Sequence, residues 1–173
     1  VNDAFAEYPY LYVSSDDDYT FYLKSYAKSD NSIVCMTFED GEAIGLATGI
    51  PMSENRAHYQ QPWVDAGQNL DELFYVGEIV VLPKYRGQGI GSRLYRQLES
   101  EARKSTHYKK ICFCEIETSA NDPLRPENYQ CNDAFWKGLG FTPQPELIFV
   151  APWVCLPGDV ERPHKMVYWT KDL

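Results

Sequence analysis

Basic residues are scarce in this chain. Lysine and arginine number 16 against 25 aspartates and glutamates, for a net charge of −9, and the densest basic stretch is only Lys109–Lys110. A nucleic-acid binder carries a basic face, so nucleic acid is not expected as a partner. Histidine is rarer still: His58, His107 and His164 are scattered, read as surface residues, and form no metal-ligand spacing. No metal is expected. Cys35, Cys112, Cys114, Cys131 and Cys155 are odd in number and include no C-x-x-C pair, which excludes a zinc ribbon or a thioredoxin-like site. Cys112 and Cys114 stand two apart in an apolar run, so on a strand they share one face, as core rather than as ligands. Reduced thiols in a cytoplasmic protein are the simplest account. No apolar stretch approaches 18 residues, so neither a membrane span nor a membrane partner is expected. The chain begins at Val1 rather than Met, which leaves a preceding targeting segment open.

What is present fits one domain over residues 1–173, with 44% hydrophobic and 24% charged residues. Aromatics reach 14%, including 13 tyrosines, which suits a ring-lined pocket or a core rich in half-buried strands. The acidic excess suits a cationic acceptor such as an amine, and equally a merely solvated surface. Asp16–Asp17–Asp18, followed by Tyr19, Phe21, Tyr22, Leu23 and Tyr26, reads as an acidic helix start with an aromatic inner face. Ser32–Phe38 and Ala43–Ile50 flank Glu39–Asp40–Gly41–Glu42 as a hairpin. Residues 51–71 show no clean periodicity and read as an excursion between strands, and so does 119–131. Leu73–Leu82 reads as a strand, Ile90 to about Ser105 as an amphipathic helix and Ile111–Glu117 as the next strand. Asn132–Leu139 reads as a short helix closed by Gly140, with final strands over Leu147–Val154 and Met166–Thr170 around a Pro157–Gly158 turn. A helical crossover between two strands implies that they are parallel.

The informative stretch is Gly77 to Leu94, a buried strand running into Arg86–Gly87–Gln88–Gly89–Ile90–Gly91–Ser92 and then a helix. A helix start has unpaired N–H groups and a positive dipole end, and both favour an anion. Gly87, Gly89 and Gly91 let the backbone approach closely and take positive φ where needed. The turn lacks the Gly-Lys-Ser/Thr ending of a nucleotide P-loop and the Gly-x-Gly-x-x-Gly order of a dinucleotide site.

The segment resembles the acyl-CoA-binding core of the GNAT superfamily of N-acyltransferases. Arg86, Gly89 and Gly91 meet that family's Arg/Gln-x-x-Gly-x-Gly/Ala pattern, after Val81, Pro83 and Tyr85, and Asn132 to Gly140–Phe141 matches its short helix ending in Gly-Phe. The resemblance runs from about Ser32 to the C terminus, with insertions at 51–71 and 119–131. It implies an α/β (mixed α+β) fold: a mostly antiparallel sheet, splayed between two parallel strands and flanked by helices. It implies acetyl-CoA as cofactor, a small-molecule or peptide amine as acceptor, and a monomer or homodimer. Backbone N–H groups from Gln88 through Gly89, Ile90 and Gly91 to Ser92 would hold the pyrophosphate beside Arg86 and Gly87. Ile79, Val80 and Val81 would pair with the pantetheine arm, and an N–H near Val81 would face the thioester oxygen. Asn132, Phe135 and Trp136 would line the acyl side, with core packing an equal reading of the two rings.

An amine of pKa about 10.4 needs about 4–5 kcal/mol to shed its proton at neutral pH. The family's usual base positions fall here on Tyr75 and Gly77, neither a carboxylate. Glu115, Glu78 and Glu117 are the candidates in that order. Glu78 stands one residue out of phase and should face away unless a bulge re-aims it. The family's usual acid, a Tyr, is Trp136 here, with Tyr75 or Tyr129 as stand-ins. These departures keep open an alternative: a CoA-binding module of the same fold with weak turnover or none.

Overall fold

The computed structural model describes residues 5–12, 16–156, 158 and 160–173, the side chains of 16–19 and 21 excepted. The side chains of Asp16–Tyr19 and Phe21, expected to open the first helix, and Pro157 of the expected turn thus lie outside the described residues. The elements are α1 (Asp16–Lys28), β1 (Ile33–Glu39), β2 (Glu42–Pro51), α2 (Ala57–Asp65), β3 (Leu73–Val81), α3 (Ile90–Ala102), β4 (Lys110–Ile116), α4 (Asp133–Gly138), β5 (Thr142–Val154) and β6 (Glu161–Asp172).

One sheet runs in the order β1-β2-β3-β4-β6-β5. Neighbours are antiparallel except β3 and β4, which are parallel and joined through α3. The sheet is therefore mixed and mostly antiparallel, as expected. Positive φ at Asp40 (49°) and Gly41 (84°) gives the β1–β2 hairpin the twist that strands prefer.

Strand alternation divides the core between two faces. Phe74 and Val76 of β3, with Ile111 and Phe113 of β4, pack under Leu94, Tyr95 and Leu98 of α3. Leu73, Tyr75 and Cys112 point the other way, onto Tyr26 of α1, Trp63 of α2 and Tyr168 of β6. Burial of these apolar groups is the main stabilising force, at about 25 cal/mol per Å². One buried carboxylate also ties α3 to the sheet: Glu99 accepts from Lys171 Nζ of β6 at 2.8 Å and from Arg103 at 2.6 Å.

Two elements differ from the sequence reading. Residues 51–71 are not an irregular excursion, since 3₁₀ turns at Met52–Glu54 and Leu70–Glu72 flank α2. Pro62 lies inside α2 and withholds one helix hydrogen bond. Burial of Trp63 against Tyr168, at a centroid separation of 5.1 Å, outweighs that local loss. The closing strands are also longer than expected. β5 begins at Thr142 and includes Pro143, Pro145 and Pro152, which only an edge strand tolerates, and β5 is the sheet edge.

Candidate active site

β3 and β4 pair only from Leu73–Tyr75 to Lys110–Cys112, and then diverge. The gap between them is a cavity of about 760 Å³, walled by Ile79–Val81 and Arg86 on one side and by Phe113, Glu115, Asn132 and Trp136 on the other. At its end stands the glycine turn. Gly87 and Gly89 both have positive φ, 77° and 75°, as the sequence required. A Cβ at either would meet nothing within 4 Å, so the turn faces open space. α3 starts at Ile90 with no side-chain cap. Its first N–H groups are therefore unclaimed by the helix, where the dipole favours an anion. Ile90 itself is core, 5% exposed, so only its backbone serves the turn. Gly91 faces Phe135, whose ring would lie 3.7 Å from a Cβ there.

The gap opens because β3 carries a bulge. Thr48 of β2 pairs with Glu78 and Gly49 with Val76, which leaves Gly77 as the extra residue. The bulge reverses the strand's alternation: Phe74 and Val76 face α3 before it, and Ile79 and Val81 do so after it. Glu78 is thereby turned to the Tyr75 face, against the plain period-two expectation. Its N–H donates to Thr48 Oγ1 at 3.1 Å, which holds the turned backbone. A Cβ on Gly77 would come within 2.6 Å of Tyr22 Oη, so glycine is required there.

On that face lies a second cavity, of about 320 Å³, between α1, α2, β3, β5 and residues 5–12. Among the described residues Glu78 is the one carboxylate that lines both cavities. Glu78 Oε2 is buried without a hydrogen-bond partner, and desolvation raises its carboxyl to about 7. Glu115 stands on the far wall of the gap, where its Oε1 accepts from Asn132 Nδ2 at 3.2 Å. Burial raises its pKa and the Asn132 bond lowers it in part. Glu117 is ion-paired with Lys165 at 2.9 Å near the surface.

The aromatic candidates divide. Tyr75 is buried, its hydroxyl 3.1 Å from Cys114 Sγ, and desolvation lifts its pKa well above 10. Tyr129 lines the gap and rises to about 12. Trp136 packs tilted against Phe113 at 4.0 Å and lines the gap beside Glu115, so it is at once core and wall. His164, expected at the surface, is partly buried: it stacks on Trp153 at 3.5 Å, with Cys155 Sγ 3.0 Å from Nε2. No group of three metal-ligating side chains occurs among the described residues, and none of the described helices is long and apolar enough to cross a membrane.

Residues 5–12 were missed by sequence reasoning. They line both cavities through Phe5 and Tyr10, and Glu7 meets Arg86 at 2.8 Å. Trp153 Nε1 donates to Tyr10 O at 2.9 Å, and Leu156 N–H to Leu11 O at 2.8 Å. Their only sequence signal was a run of aromatics without a periodic pattern.

The sequence model of the acetyltransferase (GNAT) family matches residues 1–141. The chain belongs to the GNAT acetyltransferase family. Acyl transfer is the chemistry of that family. No curated protein sequence matches the chain significantly. Among solved structures, this GNAT chain is similar to a ribosomal-protein-alanine N-acetyltransferase from Brucella melitensis: 16% identity, TM-score 0.62, 99% of this chain and 89% of that one. An aminoglycoside 6'-N-acetyltransferase complexed with coenzyme A is similar at 15% identity, TM-score 0.60, over 99% and 87%. A GNAT acetyltransferase from Elizabethkingia anophelis with acetyl-CoA bound is similar at 17%, TM-score 0.56, over 92% and 84%. At such identities these likenesses establish the shared fold.

Proposed function

We propose that this GNAT protein is an N-acetyltransferase that transfers acetyl from acetyl-CoA to a primary amine by direct attack, with Glu78 as the base. The observation that carries the reading is the position of Glu78 between the two cavities, desolvated and unpartnered. The residues of the gap fit coenzyme A. Unclaimed N–H groups from Gln88 to Ser92 meet open space at the pyrophosphate end, with Arg86 close by. Ile79, Val80 and Val81 present a strand edge that β4 has left, Asn132 and Trp136 line the opposite wall, and Phe135 lies beside Gly91.

Acetyl-CoA supplies an acetyl thioester: the C–N bond forms, the C–S bond breaks, and an ammonium acceptor gives up two protons, one kept by the released thiol and one passed to solvent. Glu78 accepts the first proton. A carboxylate near pKa 7 is ionised about half the time at neutral pH and still basic enough to work, the range that favours general-base catalysis. Tyr75 is a poor donor, because burial holds its proton tightly, and Trp136 does not titrate. A thiol of pKa about 8.5 leaves without a dedicated acid. Glu115 then positions Asn132 on the cofactor wall. We read residues 1–173 as one cytoplasmic domain acting as a monomer or homodimer; the five unpaired thiols support that compartment.

Thiol release from acetyl-CoA in the presence of amines tests the reading. Amine-dependent release with an acidic limb near pH 7 is expected. Tight CoA binding without release by any amine would favour the non-catalytic module.

A further inference from the structure

The walls of the smaller cavity carry more information than the presence of a base. Nine of its lining residues are aromatic, from residues 5–12, α1, α2, β3 and β5. Their arrangement is packed: Tyr59 lies 5.2 Å from Tyr75 and 5.2 Å from Phe149, ring centre to ring centre. Two of the six lining tyrosines have their hydroxyls engaged within the protein, Tyr75 with Cys114 Sγ and Tyr22 with Thr48 Oγ1, each at 3.1 Å. Much of the wall is therefore aromatic ring surface. Flat apolar bodies and single cations suit such faces. A polyhydroxylated sugar would leave its own hydroxyls unpaired there, which is costly.

Two buried side-chain atoms of residues that line the cavity lack partners, and their chemistry is complementary. Glu78 Oε2 is a buried acceptor, and Asn55 Nδ2 is a buried donor. The orientation of the Asn55 amide is set by its neighbour, because Oδ1 accepts from the Arg56 N–H at 2.8 Å. That leaves Nδ2 without a hydrogen-bond partner in the cavity wall. Buried donors and acceptors are nearly always satisfied in folded proteins, so two orphans in one cavity point to a ligand that satisfies both. Charge limits the ligand further. Besides Glu78, the ionised lining groups are Glu54, which is exposed and takes a hydrogen bond from Asn31 at 3.0 Å, and Arg56. One desolvated carboxylate in a cavity that also holds an arginine serves one ammonium group and disfavours a chain of them. The volume, about 320 Å³, sits at the lower end of the roughly 300–1,000 Å³ usual for small-molecule sites.

We propose that the acceptor is a compact primary amine with a flat ring body and a hydrogen-bond acceptor, seated among the tyrosines with its nitrogen at Glu78 and its acceptor at the Asn55 amide. The proposal rests on the acyl-transfer reading for the side from which the amine approaches. It sets aside linear polyamines, which lack the ring, and aminoglycosides, which lack the apolar body and exceed the space.

The test uses the whole chain with four amines: phenylalaninamide, which has ring, amine and carbonyl; 2-phenylethylamine, which lacks the carbonyl; spermidine; and a three-ring aminoglycoside. Thiol release with acetyl-CoA gives kcat/KM, and calorimetry gives binding of each amine without turnover. The expected order places phenylalaninamide first, with spermidine and the aminoglycoside at least about tenfold lower, the scale of one or two lost contacts. In Asn55→Asp, which keeps the bond to the Arg56 N–H and removes the donor, the preference for phenylalaninamide over 2-phenylethylamine should fall about three- to tenfold. Asn55→Ala gives a second measurement if the aspartate variant folds poorly. Preference for spermidine or the aminoglycoside, an unchanged preference in both Asn55 variants, or absence of binding by either ring amine overturns the proposal. Ring amines that bind in the expected order but release no thiol uphold the site's ligand class and refute the transferase reading instead.

Discussion

Glu78→Gln separates the catalytic role of the bulge from its structural role. In the wild type desolvation raises the carboxyl from 4.5 to about 7. That displacement corresponds to about 3 kcal/mol, at about 1.4 kcal/mol per tenfold change in proton affinity. The folded state holds this proton more tightly than the unfolded chain does. Its contribution to stability is therefore fully present below pH 4.5 and is lost as pH rises through about 7. Above that point the protein carries a buried, unpartnered anion. Glutamine has the same shape and no charge, so the variant should match the wild type near pH 4.5 and exceed its stability at pH 8, by up to about 3 kcal/mol. Activity should move the opposite way. Removing a general base lowers kcat/KM by about 10²–10⁴-fold, and the acidic limb near pH 7 should vanish with it. Urea midpoints at pH 5 and pH 8, beside thiol-release profiles over the same range, read both effects. A stability difference that does not change with pH would refute the desolvation argument. A limb that survives in Glu78→Gln and disappears in Glu115→Gln would move the base across the gap.

Gly89→Glu should abolish CoA binding in calorimetry, since the new carboxylate would fill the open space beside the turn and its side chain strains a backbone held at φ 75°; Gly89→Ala, which adds the strain without the charge, should weaken binding less. Tyr75→Phe should leave kcat within a few-fold; a loss of about 10²-fold would identify its hydroxyl as the missing acid. Lys171→Met should destabilise the protein by about 1–3 kcal/mol near neutral pH, measured by urea denaturation, by leaving Glu99 short of one charged hydrogen bond. Burial alone would raise the Glu99 carboxyl, but the Lys171 and Arg103 bonds hold it below its ordinary value. The Lys171 contribution is accordingly present above the unfolded pKa and should fade as pH falls through the folded one. Gly77→Ala should lower kcat/KM more than it lowers stability, because the methyl group meets Tyr22 and Tyr26 where Glu78 is aimed.

The glycine turn was legible because its chemistry is local. Gly87 and Gly89 adopt the positive φ that other residues avoid, and α3 follows with an unbroken apolar stripe. The two-faced alternation of β3 and β4 was legible for the same reason, as far as Val76. Three features were not, and each depends on a distant partner. α2 contains a proline and is held by Trp63 against Tyr168, more than a hundred residues away. The start of β5, Thr142–Glu146, does not read as strand because of Pro143 and Pro145, which are harmless only once β5 is known to be the edge strand. Residues 5–12 have no periodic pattern, and they are placed by Trp153, Leu156 and Arg86 from three other parts of the chain.

Gly77 shows how closely these levels are joined. As the extra residue of the bulge it shifts β3 out of register with its own earlier alternation, which moves Ile79 and Val81 under α3 and sends Glu78 to the opposite face. Because it has no side chain, Tyr22 and Tyr26 can bring their hydroxyls against the strand, and their rings close one wall of the smaller cavity. The same bend carries β3 away from β4, and the backbone edge so exposed is the wall of the larger cavity. A carboxylate between two cavities, a tyrosine wall and an unpaired strand edge are thus one event in the backbone. A continuous strand without the extra residue would keep Glu78 on the α3 face, among the apolar side chains packed under that helix. The site depends on the irregularity, so the alternation rule that reads the rest of the sheet correctly had to fail at Glu78.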